Sequence, residues 1–205
     1  MFSQGLNITY IIVLIVSVLV AMVIHEFMHA YVGYKLGDTT AHDQGRLSLN
    51  PLNHIDPVMT IILPIVTIVL FGFPFLAAKP VPFNPARVKY GEYGAAMIAA
   101  AGPLSNLVLA FIAALLLRGM DASSFIGQVV WLFEQLNVAL FVFNLIPIPP
   151  LDGSRVLYAF APEALQDFMR RLEPMGFFII FGLILLGGFN GILLNLMQMV
   201  LNILP

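Results

Sequence analysis

Cysteine is absent from the chain. There is accordingly no disulfide framework, no thiol nucleophile and no thiolate metal site, and any metal must rest on His, Asp, Glu or Asn. Charge is scarce as well: Lys and Arg number 9 and Asp and Glu 11, or 10% of 205 residues, where a soluble domain carries about 25%. Together with 60% hydrophobic residues and a mean hydropathy of +0.95, this shortage excludes a soluble globular domain and a disordered chain. A net charge of −2 excludes a basic nucleic-acid binder, so no nucleic-acid partner is expected. Sequence repeats are lacking too. What remains is an all-α, polytopic membrane protein, because long apolar stretches and not alternating ten-residue strands carry the signal.

The punctuation of the apolar stretches predicts about four to six membrane segments. No Lys, Arg, Asp or Glu precedes Glu26, and an apolar span from Ile8 to Ile24 continues to about Lys35. It lacks a basic leader and a small-residue cleavage site, and chemistry sits in its last turns, so it reads as a mature helix. Residues 36–56 are polar and read as a loop. Residues 57–78 are apolar but broken by Pro64, Gly72 and Pro74. Residues 79–92 are polar and proline-rich. Residues 93–117 and 125–146 are spans, and Pro147, Pro149 and Pro150 end the second. Residues 153–173 are amphipathic. Residues 174–205 carry no charge and are interrupted by Gly187, Gly188 and Asn190, as one tilted span or a broken helix. The whole is expected to form one domain, 1–205, with its core at about 8–160 and a C-terminal membrane segment at 174–205.

His25-Glu26-Phe27-Met28-His29 reads HExxH on a helix. The i, i+4 spacing puts both imidazoles on one face, able to share a zinc ion, with Glu26 placed to take a proton from water at that ion. Three ionisable groups in five residues at the end of a membrane span are costly, and such groups normally line the bundle interior or a water cavity. The bland reading is an interfacial cluster satisfied by lipid headgroups. A catalytic zinc needs a third protein ligand and an open position. Asp152, after the proline-broken end of a helix, suits that role; it also suits a helix N-cap for 153–160, and the two roles are compatible.

Taken together, these pieces resemble the site-2 protease family of intramembrane zinc metalloproteases, peptidase family M50. HEFMH at 25–29 matches its HExxH helix, Gly102-Pro103-Leu104-Ser105-Asn106 through Ala110 its G-x-x-x-N-x-x-x-A helix, and 144–153 its N-x-x-P-x-x-P-L-D-G motif. Asn50-Pro51-Leu52-Asn53-His54-Ile55-Asp56-Pro57 and Ala78-Lys79-Pro80-Val81-Pro82 are similar to the compact prokaryotic subgroup, and no PDZ or CBS module is seen. The resemblance implies one Zn2+ per chain on His25, His29 and Asp152, with Glu26 as general base and then general acid. It implies that Asn144 holds the substrate or stabilises the oxyanion, and that Asn106 contributes to substrate binding. An interhelical hydrogen bond beside Gly102 is the other reading of Asn106. The implied reaction is hydrolysis of a peptide bond in or beside a substrate transmembrane helix, as in regulated intramembrane proteolysis. The partners would be the lipid bilayer and that substrate; nothing in the sequence sets the oligomeric state.

Depth and charge constrain the topology. His25 lies roughly 25 Å into its helix at 1.5 Å per residue, near the far side of a hydrocarbon core about 30 Å thick. Asp152 reaches the same side only if 57–78 is a re-entrant hairpin. That arrangement also puts 8 of the 9 Lys and Arg on one side, with Arg118 alone opposite, against a 3 to 6 split for a full span. The expectation is a cell-membrane protein with its amino terminus outside and its site near the cytoplasmic face. A helix must unwind to expose its scissile carbonyl, and Lys79, Pro80, Val81 and Pro82, within an extended stretch at 79–85, form a candidate edge for the unwound strand, or an ordinary surface loop.

Other polar residues receive plainer readings. His54 and Asp56 fit turn hydrogen bonding better than metal ligation, and His42 a solvated loop. Glu134 is expected to pair with Arg118 or to snorkel outward, near the interfacial Trp131. A gluzincin would need a downstream glutamate, and Glu92, Glu134, Glu163 and Glu173 have no convincing setting. A non-catalytic scaffold or pseudoprotease would not need Glu26, and a zinc transporter would want ionisable groups at several depths.

Overall fold

The computed structural model describes residues 8–62, 66–67, 69, 81–185 and 188–205. Helix α1 (Ile8–Lys35) is rich in isoleucine and valine, poor helix formers in water. In a bilayer the backbone must satisfy its own hydrogen bonds, and the helix becomes the default whatever the propensity. Its outer residues Ile8, Ile12, Ile15 and Val16 are exposed, as lipid-facing positions are. A one-turn helix α2 (Thr40–Asp43), a 3-10 turn (Pro51–Asn53), a π-helical turn (Pro57–Ile62) and a second 3-10 turn (Pro85–Arg87) follow. The expected re-entrant hairpin at 57–78 lies largely outside the described residues, and Lys79 and Pro80 wholly so.

Helix α3 (Glu92–Leu117) is the centre of the molecule, packing on α1, on α4 (Phe125–Asn144) and on α5 (Asp152–Phe160). Its buried face is mostly small: Ala95, Ala96, Ala99, Ala101, Gly102, Ala110, Ala113 and Ala114. Small residues let helices approach closely where lipid offers no hydrophobic drive for association. Ser124 caps α4, its hydroxyl accepting from the Gly127 N–H at 3.0 Å.

The amphipathic stretch becomes α5 and α6 (Glu163–Leu172), and the uncharged tail becomes α7 (Gly176–Leu185) and α8 (Gly188–Ile203). The helical stretch 163–185 and Phe189–Ile203 stand at 88°, a broken helix rather than one tilted span. Among the described residues three helices, α1, α3 and α4, are long and apolar enough to cross a membrane, and the bent pair makes up to four. The chain is thus an all-helical, multi-pass membrane protein, at the lower end of the expected number of segments. Among the described residues there is no strand; 81–84 is irregular, with extended backbone at Asn84 (φ −113°, ψ 105°).

Candidate metal centre

On α1, His25 and His29 are buried on the face toward α3, where Asp152 of α5 also reaches them. Their Nε2 atoms stand 3.0 Å apart, and Asp152 Oδ2 lies 3.2 Å from His25 Nε2 and 3.3 Å from His29 Nε2. Among the described residues this is the one set of three His, Asp or Glu side chains close enough to share a metal ion. The residues fit zinc on two counts. A tetrahedral ion with ligands at about 2.0–2.1 Å spaces them about 3.3 Å apart, close to the triangle seen. And each histidine has its other nitrogen committed: His25 Nδ1 donates to Asn106 Oδ1 at 2.6 Å and His29 Nδ1 to Ile98 O at 2.7 Å. Protons on both Nδ1 atoms leave two Nε2 lone pairs converging with a carboxylate, an arrangement that repels itself unless a cation holds it.

Local sequence explains how these groups meet. A Cβ at Gly102 would overlap His29 Nε2 and stand 2.6 Å from His25 Nε2, so only glycine lets α3 lie against the two ligands. The segment 145–151, with its cis Pro149–Pro150 bond, carries the chain from the end of α4 back to the site. Asp152 is the first residue of α5, with Leu151 at the N-cap, so the capping alternative does not hold. A Cβ at Gly153 would overlap Leu145 O, which makes the D-G pair a requirement of this tight return.

The three ligands open onto a cavity of about 470 Å³ whose walls are mainly apolar, among them Met22, Ile98, Phe143, Phe177 and Ile180. Glu26 and Asn144 line it with the ligands. Glu26 is buried, which suits a group meant to handle one proton out of bulk water. Asn144 spends one N–H on Leu140 O at 2.9 Å, leaving a second N–H and a carbonyl oxygen. Val81 and Phe83 form part of the wall and Pro82 lies between them. Asp38 ties that segment to the end of α1, accepting from Asn84 N–H at 2.6 Å and from the Thr40 N–H and hydroxyl. Burial pushes the Asp38 carboxyl up, but the Thr40 and Asn84 hydrogen bonds and the charge of Arg87 outweigh it and hold the group below its ordinary value.

Other expected positions fall elsewhere. Asn106, expected at the substrate, is fully buried between helices and takes the interhelical reading, with His25 as its partner. His54 is buried and donates from Nε2 to Ser48 O at 2.7 Å, and Asp56 accepts from Val58 N–H at 2.9 Å; both serve the loop. His42 is exposed beside Asp43. Glu134 neither snorkels nor pairs with Arg118: it is buried, with Gln135 Nε2 at 3.5 Å, because the face carrying Leu132, Asn137 and Val138 turns inward. Trp131 beside it is exposed, as an interfacial anchor would be. Glu173 reaches the cavity rim but pairs with Arg155 at 2.6 Å, and no glutamate joins the ligand set, which removes the gluzincin alternative.

Two residues had no signal in the sequence. Asn137 is one of several polar residues in an otherwise apolar span, fully buried, accepting at 2.9 Å from Asn106. Arg46 is one of several charges in a polar loop, yet it is buried: burial lowers its guanidinium pKa, against the opposing charges of Glu26 and Asp56.

Residues 118–187 match the model of peptidase family M50. The chain is 40% identical over 175 residues to "Putative zinc metalloprotease YwhC" of Bacillus subtilis, covering 81% of this chain and 77% of that protein. It is 31% identical over 184 residues to "Putative zinc metalloprotease Rip2" of Mycolicibacterium smegmatis, covering 87% and 69%. "Putative zinc metalloprotease MJ0611" of Methanocaldococcus jannaschii is 30% identical over 151 residues, covering 74% and 72%. No solved structure matches the chain. With an HExxH helix, a converging aspartate and relatives aligned over most of both chains, this protein belongs to peptidase family M50.

Proposed function

We propose that the protein is a zinc metalloendopeptidase that hydrolyses a peptide bond in or near a transmembrane helix of another protein, in the manner of regulated intramembrane proteolysis. The observation that carries this reading is the His25, His29 and Asp152 triangle at the wall of a cavity that Glu26 also lines. It acts as one domain, 1–205, in the cell membrane, with the site near the cytoplasmic face. When bound, zinc supplies a Lewis acid that polarises the scissile carbonyl and activates water. His25, His29 and Asp152 hold it. Glu26 accepts the proton of the attacking water and returns it to the leaving amine. Asn144 has an N–H free for the carbonyl oxygen as negative charge develops there. The wall formed by Val81 and Phe83 receives the unwound substrate strand, with Lys79 to Pro82 as the edge it pairs along. The apolar walls suit the side chains of a membrane helix.

The test compares wild type with Glu26→Gln on a peptide from a membrane segment, in detergent, with zinc measured in both. Wild type should cleave and the variant should lose at least about a thousandfold while keeping its zinc. Equal cleavage by both would refute the general base. Zinc without cleavage of any membrane segment would favour the non-catalytic scaffold.

A further inference from the structure

His29 and His25 present Nε2 to the same point, but their Nδ1 acceptors differ in kind. His29 Nδ1 faces Ile98 O, a backbone carbonyl with one possible role. His25 Nδ1 faces the side-chain amide of Asn106, which carries an acceptor at one end and a donor at the other. Turned end for end, that amide would donate to His25 Nδ1. The imidazole proton would then sit on Nε2, aimed at the other two ligands and blocking the ion.

The orientation is decided by what surrounds the Asn106 nitrogen. It faces Asn137 Oδ1 at 2.9 Å and, at the longer distance of 3.3 Å, Ala21 O. Ala21 O is also where the α-helical bond from His25 N–H ends, four residues on. The Asn137 amide is itself held, its Nδ2 donating to Phe133 O at 2.8 Å. Every donor in the series therefore points one way, from His25 through Asn106 and Asn137 to the α4 backbone. Both asparagines are at 0% exposure, so water is not at hand to replace a lost partner. We propose that Asn137 is a positioning residue that, through Asn106, sets which nitrogen of His25 faces the metal. Asn137 is not among the residues that line the cavity or make up the ligand triangle. The inference rests on the metal role of His25 in the function proposed above, but not on cleavage.

The test uses the near-isosteric pair Asn137→Val and Asn137→Thr in the full chain, purified in detergent, with zinc Kd measured by chelator competition. A threonine hydroxyl can donate to the carbonyl four residues back and accept from Asn106, as the native amide does; valine does neither. Asn137→Val should weaken zinc about 10- to 100-fold, the usual cost of a lost outer partner, and Asn137→Thr should restore most of that. Wild-type affinity in Asn137→Val, or equal loss in both variants, would overturn the proposal. The smaller pair Asn137→Ala and Asn137→Ser repeats the comparison if the larger pair does not fold. In an Asn106→Asp background, where either oxygen accepts from His25, Asn137→Val should shift zinc affinity by no more than about twofold; an undiminished loss there would mean simple packing. Zinc affinity that follows this pattern in a protein that cleaves nothing would uphold the relay and refute the peptidase, whereas cleavage with zinc indifferent to position 137 would do the reverse.

Discussion

A methyl group at position 102 would occupy the space that two imidazole nitrogens now fill. Ordinarily alanine is the better helix former by about 1 kcal/mol. At this position the added Cβ overlaps His29 Nε2, so the propensity gain is outweighed. Gly102→Ala should weaken zinc binding at least about tenfold and cost about 1–3 kcal/mol in stability, the range for overpacking, read by zinc content and thermal unfolding. Asp152→Ala removes one corner of the ligand triangle and should leave protein that purifies with little or no zinc. Mass-spectrometric metal analysis beside wild type checks this; full zinc in the variant would separate α5 from the metal site. The same scale shows why Asn106 was legible in sequence and Asn137 was not. Asn106 sits in a recognisable G-x-x-x-N pattern, whereas Asn137 has meaning only because α4 crosses α3 where it does.

Among elements, the segment that walls the cavity depends on a distant anchor. Residues 81–84 have no ladder or helix to hold them. Asp38, at the end of α1, supplies the hold through Asn84 N–H. A carboxyl depressed below its ordinary value of 3.8 contributes stability above that pH and loses it as pH falls through the lower folded value. Protease cutting in 81–89 should therefore stay constant down to about pH 4 and rise below it in wild type. Asp38→Asn should cut faster already at neutral pH and lose most of the acid dependence, because its amide no longer offers a charged acceptor. An unchanged cutting rate in the variant would show that Asp38 does not hold the segment. Prolines 80, 82 and 85 announced a non-helical stretch in the sequence, but its anchor 46 residues away from Asn84 did not show there.

At the scale of the molecule, the proposed orientation can be read from the two ends of α4. Ala122 precedes this helix and Ala164 follows it in α6. Because the chain has no cysteine, single Ala122→Cys and Ala164→Cys substitutions give clean reporters. A membrane-impermeant thiol reagent on intact cells should label position 122 and spare 164 until the membrane is opened. The reverse pattern would invert the orientation inferred from the Lys and Arg distribution.

Much of this protein is determined by sequence alone, since the bilayer leaves few choices. Long uncharged runs must be helices, prolines must end them, and an HExxH spacing must put two imidazoles on one face whatever surrounds them. Those are local rules, so α1, α3, α4, the proline break after Asn144 and the pairing of His25 with His29 on one face of α1 were legible. What the tertiary structure decided is everything that depends on a second element. It brought Asp152 from 123 residues beyond His29 to 3.3 Å from it. It moved Asn106 from the substrate to the back of His25 and turned Glu134 inward. It buried Arg46 within reach of the Glu26 charge. Such placements come from helix packing, where small residues on α3 set the distances, and no periodicity along one chain segment records which side chain of another it will meet.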